Sequence, residues 1–271
     1  MVADERDHGL FGPHSVTWRI MSEPVMWVAG VRALYLQALH PRVMRGTWQN
    51  SSFTQSEQAW GRFTRTIQYV RVRTYGSTVE VERAGRRLRR LHASLHGFDD
   101  DGREFTLDEP ELLLWVHCAE VASEAEIARR SGLPLTAAEL DEFVAEQRRS
   151  AEVVGLDAGV VPASMAQLEE YFAGIRPLLR ACPEARRALR LSFTPRLPFP
   201  LFPLRLVVPP LNALAFASLP DWARQLYGVP AVPLTDGAVN AALRVTFEST
   251  TRFPIMVPGA VAARQIMRDA A

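Results

Sequence analysis

The sequence predicts a mainly α protein, a single globular helical bundle over residues 1–271 with at most one small β-hairpin. Apolar residues recur at spacings of three and four, and Ser or Thr followed three residues later by Glu or Gln marks several helix starts. Hydrophobic residues make up 48% and charged residues 23%, which is the balance of a folded globular chain. The C-terminal remainder is too short to bury a core of its own, so we expect one domain.

The first half begins with two predicted helices. Ser22, with Pro24 in the following turn, has the pattern of a helix N-cap. This helix ends before Pro41, because the residue before a proline is driven towards an extended backbone, here His40. A second helix is predicted over 57–72, where apolar side chains follow the helical spacing.

A third helix begins at a capping box, Ser77 with Glu80, and is expected to end at Gly97. Its apolar face contains one histidine, which helical geometry directs towards the interior. The residues of this face are Leu88, Leu91, His92 and Leu95.

The next segment, Phe98 to Leu107, contains an Asp-Asp-Gly turn and predicts the small hairpin. Helices follow over 111–130, after a proline, and from Thr136 to about Ser150, after a second capping box. Two more are expected over 165–180 and 183–191.

The most apolar stretch, Leu197 to Leu219, is long enough to cross a bilayer but contains five prolines and Arg205. We therefore expect no stable membrane insertion. A buried irregular segment or a surface lid over a lipophilic ligand suits this composition better. The acidic, polar N-terminus has no signal-peptide pattern, and a cytoplasmic location is expected.

The chain contains no lysine, so all 31 basic residues are arginine. This excludes a Schiff-base lysine, a pyridoxal-phosphate anchor and the lysine of a phosphate-binding loop. A formal net charge of +1 gives no overall field for nucleic acid, which we do not expect as a partner. Cys118 and Cys182 are too far apart in sequence to form a close metal or dithiol pair.

Histidines on apolar helix faces are the candidates for chemistry. A buried neutral imidazole such as that of His92 needs a hydrogen-bond partner or a metal, and periodicity alone leaves both open. Haem iron is bound by one axial imidazole in a flat apolar slot, and haem propionates favour a neighbouring guanidinium such as Arg89, one turn away. His40 and His117 are further candidates for cofactor contacts.

Arg62 and Thr66 share a helix face, where a guanidinium and a hydroxyl could orient bound dioxygen or its reduced product. Alternatively, they are a surface arginine and a threonine bonded back to its own helix. His117 and Glu120 have the spacing used in carboxylate-bridged metal bundles, although no second helix with a matching pair is evident.

Several motifs in order resemble the mpaB-type and rubber oxygenase family, which includes the latex clearing proteins. The resemblance runs from about residue 11 to 130 and more loosely through Leu219-Pro220 and Arg224 to near residue 244. The motifs are Leu36-Gln37-Ala38-Leu39-His40-Pro41, Ser52-Phe53, Arg62 with Thr66, Gly76, His92 with Gly97, and Trp115-Val116-His117.

This resemblance implies a globin-like helical core with one non-covalent haem b that activates dioxygen or peroxide towards a lipophilic small or prenyl-type substrate. It makes His92 the proximal iron ligand and places Arg62 and Thr66 in the pocket. Arg65 stands where latex clearing proteins have a lysine that can occupy the distal side of the iron, and arginine has no lone pair to donate.

Two other functions remain open from the sequence. One is a non-catalytic carrier of haem or of a lipophilic ligand. The other is a non-haem metal enzyme that uses His92, His96, His117 and Glu120.

Overall fold

The computed structural model describes residues 7–51, 56–194, 204–229, 236–252 and 260–270. The α-helices are α1 (Val16–Met21), α2 (Met26–Gln37), α3 (Pro41–Gln49), α4 (Ser56–Tyr75), α5 (Thr78–Ala93), α6 (Pro110–Arg130), α7 (Ala137–Glu146), α8 (Arg148–Val154), α9 (Met165–Ile175), α10 (Pro183–Phe193), α11 (Val208–Ala217), α12 (Asp221–Leu226), α13 (Asp236–Arg252) and α14 (Ala260–Ala270). Short 3-10 helices cover Ala158–Val160 and Arg176–Leu178.

The predicted mainly α class and the hairpin are both confirmed. Strand β1 (His96–Phe98) pairs antiparallel with β2 (Glu104–Thr106), and Gly102 takes a positive φ of 76° in the connecting turn. The first strand begins earlier than expected. As a result, Gly97 pairs with Phe105 in the sheet, and helix α5 ends four residues before it.

The two capping boxes are confirmed because their signals are local. The Ser77 hydroxyl accepts from the backbone N–H of Glu80, and the Glu80 carboxylate accepts from the backbone N–H of Ser77. Thr136 and Glu139 repeat this exchange at the start of α7. Each exchange satisfies two N–H groups that a helix start otherwise leaves unpaired.

The predicted N-cap at Ser22 is wrong. Ser22 ends helix α1, and its hydroxyl donates to the carbonyl of Arg19. Helix α2 begins later, after Val25, without a side-chain cap. The extended backbone expected at His40 is present, with φ −83° and ψ 115°, and this residue caps α3.

The core is built around α2 and α6, which pack along each other more extensively than any other pair in the described chain. Helix α11 packs on α2 as well. The main cluster of buried apolar residues extends from Val16 to Leu243 and includes Trp115, which is fully buried. Single-domain organisation and a globin-like core stay predictions.

The proline-rich stretch is only partly described, since residues 195–203 lie outside the described ranges. From Val208 onwards it is a regular helix, α11, with proline in its first turn, where a missing N–H costs nothing. The expectation of an irregular segment is therefore wrong for this part. Among the described helices, none combines the length and apolar character that crossing a membrane requires.

Candidate functional site

Helices α4 and α5 form a hairpin that brings Arg62 and His92 to the same level. Arg62 lies fourteen residues before Gly76 at the turn, and His92 lies sixteen residues after it. At about 1.5 Å per residue, both are therefore a similar distance from the turn. The positive charge of Arg62 contributes to lowering the pKa of His92. The two side chains therefore lie close enough to interact electrostatically.

The imidazole of His92 is the unusual group of this hairpin. Its Nδ1 is buried and has no hydrogen-bond partner. Burial lowers the pKa of His92, Asp108 opposes this effect, and Arg62 makes a smaller contribution that lowers the pKa further. The ring is consequently neutral at physiological pH with an unpartnered nitrogen, the state in which histidine binds a metal.

The face of α5 that carries this imidazole is apolar and partly open. The buried residues of α5 are Val81 and Gly85, and Leu88 and His92 continue that face half-buried. The prediction that Leu91 belongs to the buried face is wrong, since it is 50% exposed. A half-exposed leucine beside a half-buried imidazole provides apolar surface against which a flat hydrophobic group could pack.

Arg62 is held towards the start of α4. Its Nη1 donates to the Ser51 hydroxyl and, at 3.4 Å, to the Thr47 carbonyl, and burial lowers the pKa of the guanidinium. Thr66 is exposed, and its hydroxyl donates to the Arg62 carbonyl at 3.2 Å. A role for Thr66 towards a bound oxygen species stays a prediction.

The other predicted cofactor contacts lie apart from His92 or are engaged elsewhere. Arg89 is exposed on α5, and its Nη1 donates to the Val153 carbonyl at 2.6 Å on α8. His40 accepts from the Val43 N–H through Nδ1 at 3.4 Å, and burial lowers its pKa to about 4. It lines a separate cleft of about 550 Å³, between α3, α6 and α9.

His117 belongs to a buried polar cluster that sequence reasoning missed in part. Arg73 of α4 donates to Glu120 at 3.0 Å and lies 3.9 Å from Glu124. The pKa of His117 falls to about 4 through burial. The sequence showed His117, Glu120 and Glu124 on one face of α6, but only the packing of α4 supplies the cation between the carboxylates.

The four residues of the non-haem metal alternative are not gathered into one site. His96 is on the surface hairpin, where Nδ1 lies 3.1 Å from Glu104 Oε1. Across the residues that the structure describes, no group of three or more His, Cys, Asp or Glu side chains is arranged to hold a metal ion. A single imidazole, at His92, is the better candidate ligand.

Fold and site together define a mainly α protein in which a helical hairpin carries a half-buried histidine, His92, with a buried and unpartnered Nδ1. Comparison with protein families identifies the class. Residues 18–251 match the family described as the ER-bound oxygenase mpaB/B'/rubber oxygenase catalytic domain, and the chain belongs to this family. Neither the curated proteins nor the solved structures contain a significant match. The resemblance expected from the motifs is thus confirmed, and the chain is an oxygenase-type catalytic domain.

Proposed function

We propose that this protein is a haem b-dependent oxygenase that acts on a lipophilic small or prenyl-type substrate, with His92 as the proximal iron ligand. The single observation that carries the proposal is the neutral, half-buried imidazole of His92, whose buried Nδ1 has no partner. The chain is an oxygenase catalytic domain, and a cofactor iron bound by His92 would explain why this imidazole lacks a hydrogen-bond partner. A cytoplasmic location is part of the proposal.

The residues present suit a haem. The His92 ring would bind iron, and the apolar surface at Leu88 and Leu91 would pack against the porphyrin. When bound, haem b supplies the redox and oxygen chemistry that side chains cannot provide. The Arg62 guanidinium stays protonated at neutral pH and donates hydrogen bonds, which suits it to hold an anionic or oxygen-containing group near His92.

Haem binding is tested by the absorption spectrum and pyridine haemochrome of protein purified from cells fed with a haem precursor. We expect a Soret band and about one haem b per chain, lost in His92→Ala. His96→Ala is the matched control, because this histidine is exposed on the adjacent hairpin. Full haem content in the folded His92→Ala variant would contradict the ligand assignment.

Catalysis is tested separately, with the haem-loaded protein. Oxygen uptake in the presence of prenyl or other apolar alkenes is expected for an oxygenase, and Arg62→Leu should lower its rate with haem content unchanged. Haem binding without uptake on any such substrate would instead indicate the carrier function.

A further inference from the structure

The cleft between α3, α6 and α9 contains a buried imidazole, that of His40. The residue is 7% exposed. Its Nδ1 accepts from the backbone N–H of Val43, so this nitrogen carries no proton while the ring is neutral. The proton of the neutral ring therefore lies on Nε2, which makes Nε2 a hydrogen-bond donor.

This donor has no partner within the protein. Nε2 keeps some contact with solvent and forms no hydrogen bond in the part of the chain that the structure describes. Because the ring lines the cleft, the donor is reached from there. Burial first, and then Arg42 and Arg180, lower the pKa of His40 to about 4, so the ring is neutral at physiological pH. Most polar groups that are buried to this degree have a hydrogen-bond partner.

One wall of the cleft is apolar. Leu114 of α6 and Tyr171 and Ile175 of α9 line it and pack partly against the core. Leu178, which follows α9, also lines the cleft and is 62% exposed. Gly174 leaves this wall open, because a Cβ there would have no neighbour within 4 Å. An apolar molecule in the cleft would shield these side chains from water.

The charged residues of the cleft compensate one another. Among the described residues, each arginine that lines it forms an ion pair with a carboxylate. The pairs are Arg45–Asp100, Arg180–Asp100, Arg42–Glu109 and Arg42–Glu111. Asp99 and Asp101 add further carboxylates. An anionic ligand would therefore find no uncompensated guanidinium group, and the cleft is better suited to a neutral molecule.

We propose that this cleft binds a neutral, largely apolar molecule through a carbonyl oxygen that accepts a hydrogen bond from the Nε2–H group of His40. The hydrocarbon part of the molecule would pack on the apolar wall at α9. The volume of about 550 Å³ lies within the range of small-molecule pockets, about 300–1,000 Å³. The site does not include His92 and does not depend on the proposed haem function.

The test is isothermal titration calorimetry of the full chain with methyl heptyl ketone and with its methylene analogue, in which a =CH₂ group replaces the carbonyl oxygen. Nonanoate, of similar chain length, is the anionic comparison. The ketone should bind, and nonanoate should bind more weakly because its charge meets the carboxylates of the cleft. Absence of ketone binding, or tighter binding of nonanoate, would overturn the proposal.

Gly174→Leu tests where the ligand binds. The leucine side chain would fill the cleft, and it suits a helix better than glycine does. The affinity for the ketone and for its analogue should each fall about tenfold or more. Gly30→Leu is the matched control, because Gly30 is an exposed position of α2 with equally open surroundings, and it should change neither affinity. Unchanged binding in Gly174→Leu would refute the site.

His40→Asn tests the hydrogen bond. Asparagine can still accept the Val43 N–H and cap α3, but its amide is too short to reach the position of Nε2. The ratio of ketone affinity to analogue affinity should fall about fivefold, a change that a purely structural role of His40 would not produce. An unchanged ratio in the folded variant would contradict the proposed contact. If the variant does not fold, the comparison with nonanoate and the loss of binding in Gly174→Leu decide the matter.

Discussion

Glu124 shows how one buried residue can govern the pH behaviour of the protein. It is 4% exposed, shares Arg73 with Glu120, and its Oε2 has no hydrogen-bond partner. Burial first, and then the neighbouring carboxylate, raise its pKa to about 8, against the opposing effect of Arg73. The side chain is therefore largely protonated at neutral pH.

We predict that the free energy of unfolding of the wild type falls as the pH rises above neutrality, and that Glu124→Gln removes the part of this fall that comes from Glu124. In the unfolded chain this carboxyl ionises near pH 4.5, but in the folded protein only near 8. Its contribution is thus complete below pH 4.5 and is lost as the pH rises through about 8. Between pH 6.5 and 8, urea unfolding should show the wild type losing about 1.4 kcal/mol per pH unit more than the variant.

The control for this measurement is Glu152→Gln, an exposed glutamate on α8. It should leave the pH dependence of the free energy of unfolding as in the wild type. If the free energies of unfolding of the wild type and of Glu124→Gln change with pH in parallel, Glu124 is ionised in the folded state.

At the scale of elements, helix α5 is positioned by a glycine contact. A Cβ on Gly85 would lie 2.7 Å from Val153 Cγ1 and 2.9 Å from the Val153 carbonyl oxygen. Since the second atom belongs to the backbone of α8, the two helices would have to separate. This contact fixes the helix that carries His92.

We predict that Gly85→Ala destabilises the protein although alanine favours helices. The clash should outweigh the helix propensity gain and cost about 1–3 kcal/mol of unfolding free energy. Gly30→Ala is the matched control in α2, because its Cβ would have no neighbour within 4 Å, and it should gain about 0.5–1 kcal/mol. Chemical denaturation measures both, and equal effects would contradict the packing argument.

Local signals explain which elements could be predicted from the sequence. The boxes at Ser77 and Thr136 and the hairpin turn at Gly102 involve residues within a few positions, so pattern alone identifies them. Ser22, with Pro24 in the following turn, also has a local N-cap pattern, but it ends a helix because the short α1 preceding it depends on tertiary packing.

The sites follow the same rule. Helix periodicity and family motifs select His92 and Arg62 as candidates, and their roles stay predictions. The position of Arg73 between two carboxylates depends on contacts between helices far apart in sequence. The same is true of the contact between Arg32 and the end of α11. No spacing within one helix reveals these contacts.

At the scale of the whole molecule, α6 links two polar regions of the interior. His117, Glu120 and Glu124 meet Arg73 of α4, whereas Ser123 bonds with Arg32 of α2 and Arg130 with the end of α11. A helix that packs along α2 thus also holds charged groups whose ionisation depends on burial. The free energy of unfolding should therefore fall both towards acid and towards alkaline pH.

Two buried histidines, His40 and His117, and the half-buried His92 have an effect on stability opposite to that of Glu124 below neutral pH. Burial lowers the pKa of His40 and His117 to about 4 and also lowers that of His92. These rings are neutral in the folded protein but take up protons near pH 6.5 when unfolded. The contribution of His40 and His117 is complete above pH 6.5 and is lost as the pH falls through about 4, and that of His92 is likewise lost on the acid side.

The unfolding free energy should consequently reach a maximum near pH 6.5 and decline on both sides. His40→Asn tests the acid side, because asparagine is also a good N-cap and can accept the Val43 N–H that His40 accepts. Between pH 6.5 and 5, the variant should lose about 1.4 kcal/mol per pH unit less than the wild type. His96→Asn, at the exposed hairpin, should keep the wild-type slope. An unchanged slope in His40→Asn would show that this ring titrates alike in the folded and unfolded chains.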